Sequence, residues 1–326
     1  IGDALGNPIE FDRISSIKRL YGNNGIQDLL VNSKGFAEIT DDTQMTMFTA
    51  DGLIKSLIQN PDAEEPDYDI IYKSYQDWYR TQTEPYKERK GLLNNTPDLY
   101  SPVGPGRTCL SSLKAGVKGS VSEPINDSNG CGGVMRVAPV GLVYDNPKKA
   151  FKIGAECAAM THGGPEAYLP AGYFASLISG ISNGKTLEKA AIDSLNILKE
   201  YDNHEKTYNL ISKAINLAGD NTPSAKAIES LGYGFSGDEA MAISLYAALK
   251  EPNDLKKALI LAVNHSGDSD STGSITGQII ALSKGISTAP KEWVDSLEMK
   301  DLLKDLAKDL SDTKSIKNKE QKYSLN

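Results

Sequence analysis

The chain contains 326 residues, of which 39% are hydrophobic and 24% are charged, and its formal net charge is −8. This composition supports a large apolar core and excludes a disordered chain. Lysine and arginine are dispersed, so no basic face for a nucleic-acid backbone is expected, and no apolar run is long enough to cross a membrane.

Helical periodicity dominates the chain. Apolar residues recur at spacings of three and four, whereas alternating β-branched runs bounded by hairpin turns are hard to find. The predicted helices are Gln44 to Gln59, Asp67 to Gln82, Pro147 to Thr161, Glu166 to Ser182, Leu187 to Tyr201, Glu205 to Ala218, Gly237 to Leu249, Asn253 to Val263 and Ser271 to Lys284. The sequence predicts an all-α fold with one domain over residues 1–313, followed by a polar, solvated tail over residues 314–326.

Two short acidic segments precede predicted helices that are far apart in the chain. Aspartate is a preferred helix N-cap, so capping alone explains one acid in each segment. A second acid is redundant for capping and adds repulsion, which favours a metal ion held between the two segments. The segments are Thr40-Asp41-Asp42-Thr43 and Gly267-Asp268-Ser269-Asp270-Ser271.

The donor types in these segments indicate which ion would bind. Carboxylate and hydroxyl oxygens without a histidine-rich or cysteine-rich pattern fit octahedral Mg²⁺ or Mn²⁺ better than Zn²⁺, with Ca²⁺ left open. Helix N-termini favour negative charge, so we expect these carboxylates to be ionised near neutral pH.

Two long connections, residues 83–107 and 118–131, contain glycine-rich segments. These are Gly104 to Thr108 and Ser128 to Gly133, and both precede helical stretches. Backbone N–H groups in such loops can bind a phosphate or pyrophosphate, although tight loop geometry explains the glycines equally well. His162, which lies at a predicted helix end, is either part of such a site or a structural histidine.

The cysteines indicate the compartment. Cys109, Cys131 and Cys157 are odd in number and widely spaced, which argues against a disulfide framework and favours a reducing environment. We therefore expect a cytoplasmic protein.

Several of these features occur together in one family. In its ordered motifs the chain resembles the ADP-ribosylhydrolases that include the dinitrogenase reductase-activating glycohydrolases, and the likeness extends over nearly the whole length. The motifs are Gly2-Asp3-Ala4-Leu5-Gly6 with Glu10, Thr40-Asp41-Asp42-Thr43, Gly132-Gly133-Val134-Met135-Arg136, Thr161-His162, Gly232-Tyr233-Gly234-Phe235 with Glu239-Ala240, and Gly267-Asp268-Ser269-Asp270-Ser271. The resemblance implies a single orthogonal multi-helix bundle with two divalent cations, Mg²⁺ or Mn²⁺, in a cleft.

The resemblance also implies roles for particular residues. Glu10 matches an acidic residue near the metals. The implied metal ligands are Thr40, Asp41, Asp42, Asp268, Asp270 and Ser271. The implied lining of an ADP-ribose site is Gly104, Gly106, Ser128, Asn129, Gly130 and Cys131, with His162 nearby. Ser271 stands where some relatives carry Thr, and Cys131 departs from a common Asn.

The activity implied by this resemblance is hydrolysis at the ribose anomeric carbon of an ADP-ribosylated protein, which releases ADP-ribose. Water is the expected nucleophile, and Glu10, or failing that Asp41, is expected to handle the proton. Arginine is the preferred acceptor. The alternatives are an ADP-ribose-binding module without catalysis, and a hydrolase of another ADP-ribose linkage or of a nucleotide-like metabolite.

Overall fold

The computed structural model describes residues 1–312 and 316–324. Over these residues the regular structure is helical, and β structure is confined to two isolated bridges. The α-helices are α1 (Gly2–Gly6), α2 (Ile14–Tyr21), α3 (Asp41–Gln59), α4 (Tyr68–Thr83), α5 (Arg107–Ala115), α6 (Ala138–Val143), α7 (Pro147–Ala159), α8 (Pro165–Ser182), α9 (Leu187–Leu198), α10 (Glu205–Gly219), α11 (Ser224–Leu231), α12 (Gly237–Lys250), α13 (Leu255–Val263), α14 (Ser269–Lys284), α15 (Lys291–Ser296), α16 (Lys300–Ser311) and α17 (Glu320–Tyr323). The predicted all-α fold is confirmed.

Helix α8 lies at the centre of the bundle and packs against α6, α7, α9 and α12. Its buried residues run continuously from Leu169 to Ile181, so it has no solvent-facing stripe along that length. Small residues allow close packing, because a Cβ on Gly154 of α7 would lie 2.6 Å from the Cβ of Ala175. A helix that is apolar all round has to be enclosed by other helices, as α8 is here.

The contact between α1 and α14 brings the start of the chain against the helix that carries the second acidic segment. A Cβ on Gly2 would lie 1.9 Å from the carbonyl oxygen of Gly273, and a Cβ on Gly6 would lie 2.3 Å from the carbonyl oxygen of Ser269. The two backbones therefore touch at positions where no side chain fits. This arrangement places Glu10 beside the second acidic segment.

The predicted helices correspond to observed ones, with ends that differ by a few residues. Helices α3 and α14 begin earlier than predicted, at Asp41 and Ser269, so that acids of both segments lie in the first helical turn. The sequence analysis gave no bounds for the shorter helices, which are α1, α2, α5, α6, α11, α15, α16 and α17. Several of these are too short to repeat an apolar spacing.

The C-terminal region differs from the expected solvated tail. Ile316 is 1% exposed and Tyr323 is fully buried, and the Tyr323 hydroxyl donates a hydrogen bond to Oδ2 of Asp309 at 2.7 Å. Residues 316–324 thus pack on α3 and α16, because two apolar side chains anchor a mostly polar segment. The predicted boundary after residue 313 lies outside the described residues.

Within the described residues, no helix is both long enough and apolar enough to cross a bilayer.

Candidate active site

The first acidic segment forms the N-terminus of α3. Thr40 is the N-cap, and its Oγ1 accepts a hydrogen bond from the backbone N–H of Asp42 at 3.2 Å. Thr40, Asp41 and Asp42 are each at most 5% exposed. Because the threonine supplies the cap, neither aspartate side chain is needed to cap this helix.

Asp3 of α1 supports the same helix end from outside. Its two carboxylate oxygens accept hydrogen bonds from the backbone N–H of Thr40 at 3.2 and 3.1 Å, and Oδ2 also accepts from the backbone N–H of Thr43 at 3.2 Å. The Thr43 hydroxyl donates to the same oxygen. The sequence analysis gave Asp3 no role of its own. The available signal was a lone acid within the otherwise apolar segment from Gly2 to Gly6.

The second acidic segment forms the N-terminus of α14. Asp268 is the N-cap and accepts a hydrogen bond from the backbone N–H of Ser271 at 3.2 Å, and Asp270 accepts one from the same group at 3.0 Å. Gly267 precedes the cap with φ of +121°, a conformation that favours glycine. A Cβ there would also lie 2.0 Å from the carbonyl oxygen of Tyr233, so a side chain at this position would displace the loop that orients Asp268.

The structure brings the two segments together. The Ser271 hydroxyl donates to Oδ1 of Asp42 at 3.3 Å. Carboxylate oxygens of Glu10, Asp268 and Asp270 all lie within 4.8 Å of one another. We refer to the carboxylates assembled here as the acidic cluster, which consists of Asp3, Glu10, Asp41, Asp42, Asp268 and Asp270. It could bind a metal ion.

The electrostatics of the acidic cluster differ from the expectation of ionised carboxylates. Burial, followed by repulsion from neighbouring acids, raises the pKa of Asp42 and Asp270 well above the ordinary value. The pKa of Asp41 is also raised well above it, chiefly by burial, although the Gly106 N–H partly opposes the shift. The loss of hydration and the mutual repulsion therefore change the pKa values more than the favourable helix N-termini do, because several acids share one enclosed volume.

The unpartnered groups of the acidic cluster fit a cation. Oδ2 of Asp42 is buried and has no hydrogen-bond partner. Within the described residues, no lysine or arginine forms an ion pair with any acid of the cluster. Buried carboxylates without a cationic side chain are compensated by protonation or by a metal, and oxygen donors of this kind suit a hard divalent ion.

Glu10 is the most accessible acid of the cluster. It follows the short 3₁₀ turn Asn7–Ile9 and is partly buried. Burial, with added repulsion from Asp268 and Asp3, raises the pKa of Glu10 to about 7. A carboxyl with this pKa can both accept and release a proton near neutral pH, which is what general acid–base catalysis requires.

The first glycine-rich loop lies against the acidic cluster. Gly106 donates its backbone N–H to Oδ2 of Asp41 at 3.1 Å. Gly104 has φ of +74°, and a Cβ there would lie 3.8 Å from Oε2 of Glu10 and 3.9 Å from Oδ1 of Asp41. This loop therefore forms one wall beside the carboxylates.

The second glycine-rich loop reaches the acidic cluster through Cys131, whose thiol donates to Oδ2 of Asp268 at 2.8 Å. Upstream in the loop, the Ser128 hydroxyl lies 3.1 Å from that of Thr108. Oδ1 of Asn129 accepts from the backbone N–H of Glu166 at 3.1 Å. The side-chain oxygen of Asn129 therefore satisfies a donor at the start of α8, and its backbone carbonyl accepts a hydrogen bond from the N–H of Gly237 at 3.0 Å.

His162 lies behind the second loop and is 2% exposed. A Cβ on Gly130 would lie 3.5 Å from its ring. Arg136 donates to Oγ1 of Thr161 at 2.8 Å, and that oxygen lies 2.8 Å from Nδ1 of His162. Burial, and then the positive charge of Arg136, lowers the pKa of His162 to about 3. The imidazole is therefore neutral and supports the loop from within the core.

Arg136 holds this region together and was quoted in the sequence analysis only as part of a motif. It is fully buried, and it donates to the carbonyl oxygens of Gly132 and Cys157 at 2.8 and 3.0 Å. Its guanidinium carbon lies 4.4 Å from the centre of the Tyr75 ring. A buried arginine that donates to backbone carbonyls and stacks on an aromatic face holds the loop that carries Cys131.

Three exposed aromatic residues form a rim, which we call the aromatic rim. Phe11, Tyr233 and Phe235 are 65%, 55% and 51% exposed. The Phe235 ring centre lies 5.9 Å from that of Phe11 and 6.1 Å from that of Tyr233. Their backbones contact site residues, since Asp268 donates to the carbonyl oxygen of Tyr233 and Cys131 to that of Phe235. The sequence analysis assigned no function to these rings.

Comparison with known proteins identifies the class to which this fold and site belong. The family model described as ADP-ribosylglycohydrolase matches residues 1–319, and the chain therefore belongs to that family. This confirms the resemblance drawn from the motifs, and it supports ADP-ribosylglycohydrolase activity in general.

Individual relatives agree with that assignment. The chain is 25% identical to ADP-ribosylarginine hydrolase Tri1 of Serratia proteamaculans over 95% of this chain and 76% of that protein. It is also 25% identical to ADP-ribosylhydrolase ARH3 of Mus musculus, over 79% of this chain and 73% of that protein. A solved structure titled "ADP-ribosylglycohydrolase-related protein complex" superposes with a TM-score of 0.62 at 21% identity, covering 96% of this chain and 93% of that chain. The last comparison shows a shared fold.

Proposed function

We propose that this protein hydrolyses the N-glycosidic bond between ADP-ribose and arginine side chains of modified proteins, and that it needs two divalent cations, Mg²⁺ or Mn²⁺. The observation that carries the proposal is the meeting of two acidic helix N-termini beside Glu10, with no cationic side chain of the described residues to neutralise them. Membership of the ADP-ribosylglycohydrolase family supplies the ADP-ribose part of the substrate.

The proposed ligands are all at the two helix starts. The raised pKa values of Asp41, Asp42 and Asp270 and the unpartnered Oδ2 of Asp42 support a cation in this volume. When bound, such ions lower the pKa of a water molecule and stabilise negative charge that develops on oxygen. The residues that would hold them are Thr40, Asp41, Asp42, Asp268, Asp270 and Ser271.

Glu10 is the proposed general base. Its carboxylate takes a proton from water as the water oxygen bonds to the anomeric carbon, and it returns a proton to the nitrogen that leaves with the arginine. In the metal-free protein the pKa of Glu10 is about 7. Cations bound beside it would favour its ionised form, which is the form that accepts a proton from water. Asp41 is the weaker candidate, because its Oδ2 already accepts from Gly106 and holds the first glycine-rich loop.

The two glycine-rich loops are the proposed ADP-ribose site. Gly104 and Gly106 border the acidic cluster and leave room for close approach to their backbone. On the other side, His162 is uncharged and rigidly held, so it would offer shape and a ring N–H rather than positive charge. The remaining proposed contacts come from Ser128, Asn129, Gly130 and Cys131.

The aromatic rim supports arginine as the acceptor. A guanidinium is planar and always charged, so it stacks on aromatic faces and is attracted to nearby carboxylates. The aromatic rim, whose backbone accepts hydrogen bonds from Asp268 and Cys131, offers exposed rings, and the acidic cluster offers the carboxylates. A serine acceptor would use neither.

The test is ADP-ribose release from arginine-linked and serine-linked ADP-ribosylated proteins, in Mg²⁺, Mn²⁺ or EDTA. Wild type is expected to release ADP-ribose from the arginine-linked protein only when a metal is present, and Asp268→Ala is expected to abolish release. Asp67→Ala is the matched control, because Asp67 also caps a helix, α4, but lies outside the acidic cluster. It loses a similar cap, worth about 1 kcal/mol, and should keep full activity.

Three outcomes would overturn parts of the proposal. Release in EDTA after exhaustive chelation would exclude the metal requirement. Release from the serine-linked protein alone would exclude arginine as the acceptor. Tight binding of ADP-ribose without hydrolysis of either linkage would establish a binding module instead.

A further inference from the structure

Five cationic side chains and one carboxylate line a cleft of about 320 Å³, which we call the basic cleft. It lies between α3, α4 and the connection that follows α4. Its charged residues are Lys55 of α3, Lys73, Asp77 and Arg80 of α4, and Arg89 and Lys90 of the connection. Because the protein as a whole has a net charge of −8, this local excess of positive charge favours an anionic ligand.

The basic cleft is separate from the acidic cluster. Asp41 opens α3, whereas Lys55 lies near the C-terminal end of the same helix. At a rise of about 1.5 Å per residue, the helix carries Lys55 about 21 Å from Asp41. A small ligand of the basic cleft would therefore not contact the proposed metal ligands.

Carboxylates balance only part of the positive charge. Three of the five cations form ion pairs, which are Lys55 with Asp51 at 2.6 Å, Arg89 with Glu84 at 2.8 Å, and Arg80 with Asp77. The side chains of Lys73 and Lys90 are exposed and form no ion pair within the described residues. Two positive charges at this cleft are therefore left unbalanced.

The two arginines also carry donors that the protein does not use. The Nε atoms of Arg80 and Arg89 are buried and have no hydrogen-bond partner among the described residues. Buried N–H groups are normally paired, with protein, with water or with a ligand. A guanidinium presents its donors in a planar fork that matches the oxygens of a phosphate. The unused donors therefore point to the same class of ligand as the unbalanced charge.

We propose that the basic cleft binds the phosphoryl group of a small phosphorylated molecule, at a site distinct from the proposed ADP-ribose site. Lys73 and Lys90 supply the charge that a phosphoryl dianion requires, and Arg80 and Arg89 supply directed N–H donors. A volume of about 320 Å³ is at the small end of ligand pockets. A nucleic-acid backbone would need a longer basic surface with many phosphate contacts, so a small molecule is favoured.

The first test is calorimetric titration of the protein in EDTA with inorganic phosphate, with glycerol phosphate and with acetate. Wild type is expected to bind the first two and not acetate. Lys73→Gln/Lys90→Gln should bind phosphate at least about tenfold more weakly, because two charged contacts are lost. Lys18→Gln/Arg19→Gln is the matched control, since it removes the same charge from exposed residues of α2 outside the basic cleft. It should bind within about twofold of wild type, because distant surface charges are screened by salt.

The outcomes of this titration are distinct. Tighter binding of inorganic phosphate than of glycerol phosphate would assign free phosphate as the ligand, and the reverse would assign a phosphomonoester. Absence of phosphate binding, or acetate binding as tight as that of phosphate, would overturn the proposal. Full phosphate affinity in Lys73→Gln/Lys90→Gln would place the anion elsewhere, for example at the glycine-rich loops, and would overturn it as well.

The second test follows the arginine Nε–H signals of the same metal-free protein by NMR, with circular dichroism to verify that each variant folds. Phosphate is expected to shift the signals of Arg80 and Arg89, whose Nε–H groups lack a partner. Arg80→Lys and Arg89→Lys assign these signals, because each variant keeps the charge and removes one of them. Unshifted signals at saturating phosphate would overturn the proposal.

These readouts separate the inference from the proposed function, because they need neither a metal nor an ADP-ribosylated protein. Phosphate binding at the basic cleft without ADP-ribose release from any linkage would leave the inference intact and defeat the proposed hydrolysis. Metal-dependent release without phosphate binding would do the reverse.

Discussion

Replacing Asp42 by Asn tests whether the acidic cluster is built for a cation. Asp42 is 2% exposed, and among the described residues its side chain accepts one hydrogen bond, from the hydroxyl of Ser271. Asparagine has the same shape and keeps that acceptor. Its amide nitrogen would replace Oδ2, which already lacks a partner, so the substitution breaks no existing hydrogen bond and removes only charge.

The substitution has opposite effects on the metal-free and metal-bound proteins. Burial and repulsion raise the pKa of Asp42 in the folded state, and each unit of such a shift corresponds to about 1.4 kcal/mol of instability once the pH exceeds the folded value. The penalty is absent below the unfolded pKa of about 4 and grows as the pH rises. Metal-free Asp42→Asn is therefore expected to be at least as stable as wild type at pH 7.

Metal binding is expected to make wild type more stable than Asp42→Asn. An ion present at 100 times its dissociation constant stabilises the folded state by about 2.7 kcal/mol, which for a domain of this size corresponds to a melting-temperature increase of about 4 °C. Thermal denaturation in EDTA and in Mg²⁺ or Mn²⁺ measures both effects. An Asp42→Asn variant that keeps the full metal-dependent increase would refute the reasoning, as would a metal-free variant several kcal/mol less stable than wild type.

Three further substitutions test other parts of the site. Glu10→Gln should slow single-turnover ADP-ribose release about 10²- to 10⁴-fold, with little change in calorimetric ADP-ribose affinity, since only proton transfer is lost. Asp3→Ala should lower the free energy of unfolding in urea by about 3 kcal/mol or more, because buried N–H groups of Thr40 and Thr43 lose their acceptor. His162→Asn should flatten the pH dependence of urea stability. The wild-type imidazole, with its folded-state pKa lowered to about 3, costs about 2 kcal/mol between pH 7 and pH 5, where only the unfolded chain takes up the proton.

Each of these has a result that would contradict it. Weaker ADP-ribose binding with unchanged turnover in Glu10→Gln would make Glu10 a binding residue. Unchanged stability in Asp3→Ala would show that the contacts of Asp3 with the start of α3 contribute little. A wild-type pH slope in His162→Asn would exclude His162 as its source, and His204→Asn, at a more exposed position, is the matched control.

The all-α fold could be predicted from the sequence because the apolar spacing that indicates a helix is a local property of the chain. Apolar spacing along α3 and α14 identifies both helices, and the acids ahead of each spacing identify the helix starts. The pairing of the two acidic segments was also predicted from their chemistry. In the structure this pairing depends on contact between the backbones of α1 and α14 at Gly2 and Gly6. The sequence of α1 alone does not show that these positions need glycine, because the constraint comes from the facing helix.

The missed features all depend on contacts between distant residues. Cys131 meets Asp268 across 137 positions, and Asp3 meets Thr40 across 37. Tyr323 is buried only because Asp309 and its neighbours form a surface for it. Likewise, the ionisation of Asp42 was predicted from its helix end, but it is governed by acids contributed from other parts of the chain.

Asp3 shows how stability and metal binding are coupled in this fold. Its carboxylate accepts hydrogen bonds from the start of α3 and so stabilises the helix that carries Asp41 and Asp42. The same charge raises the pKa of both aspartates by repulsion. A divalent ion would remove the repulsion without weakening the hydrogen bonds. Because the bundle has a large apolar core of its own, the metal is expected to add stability to it, in contrast to small metal-binding domains that unfold when the ion is removed.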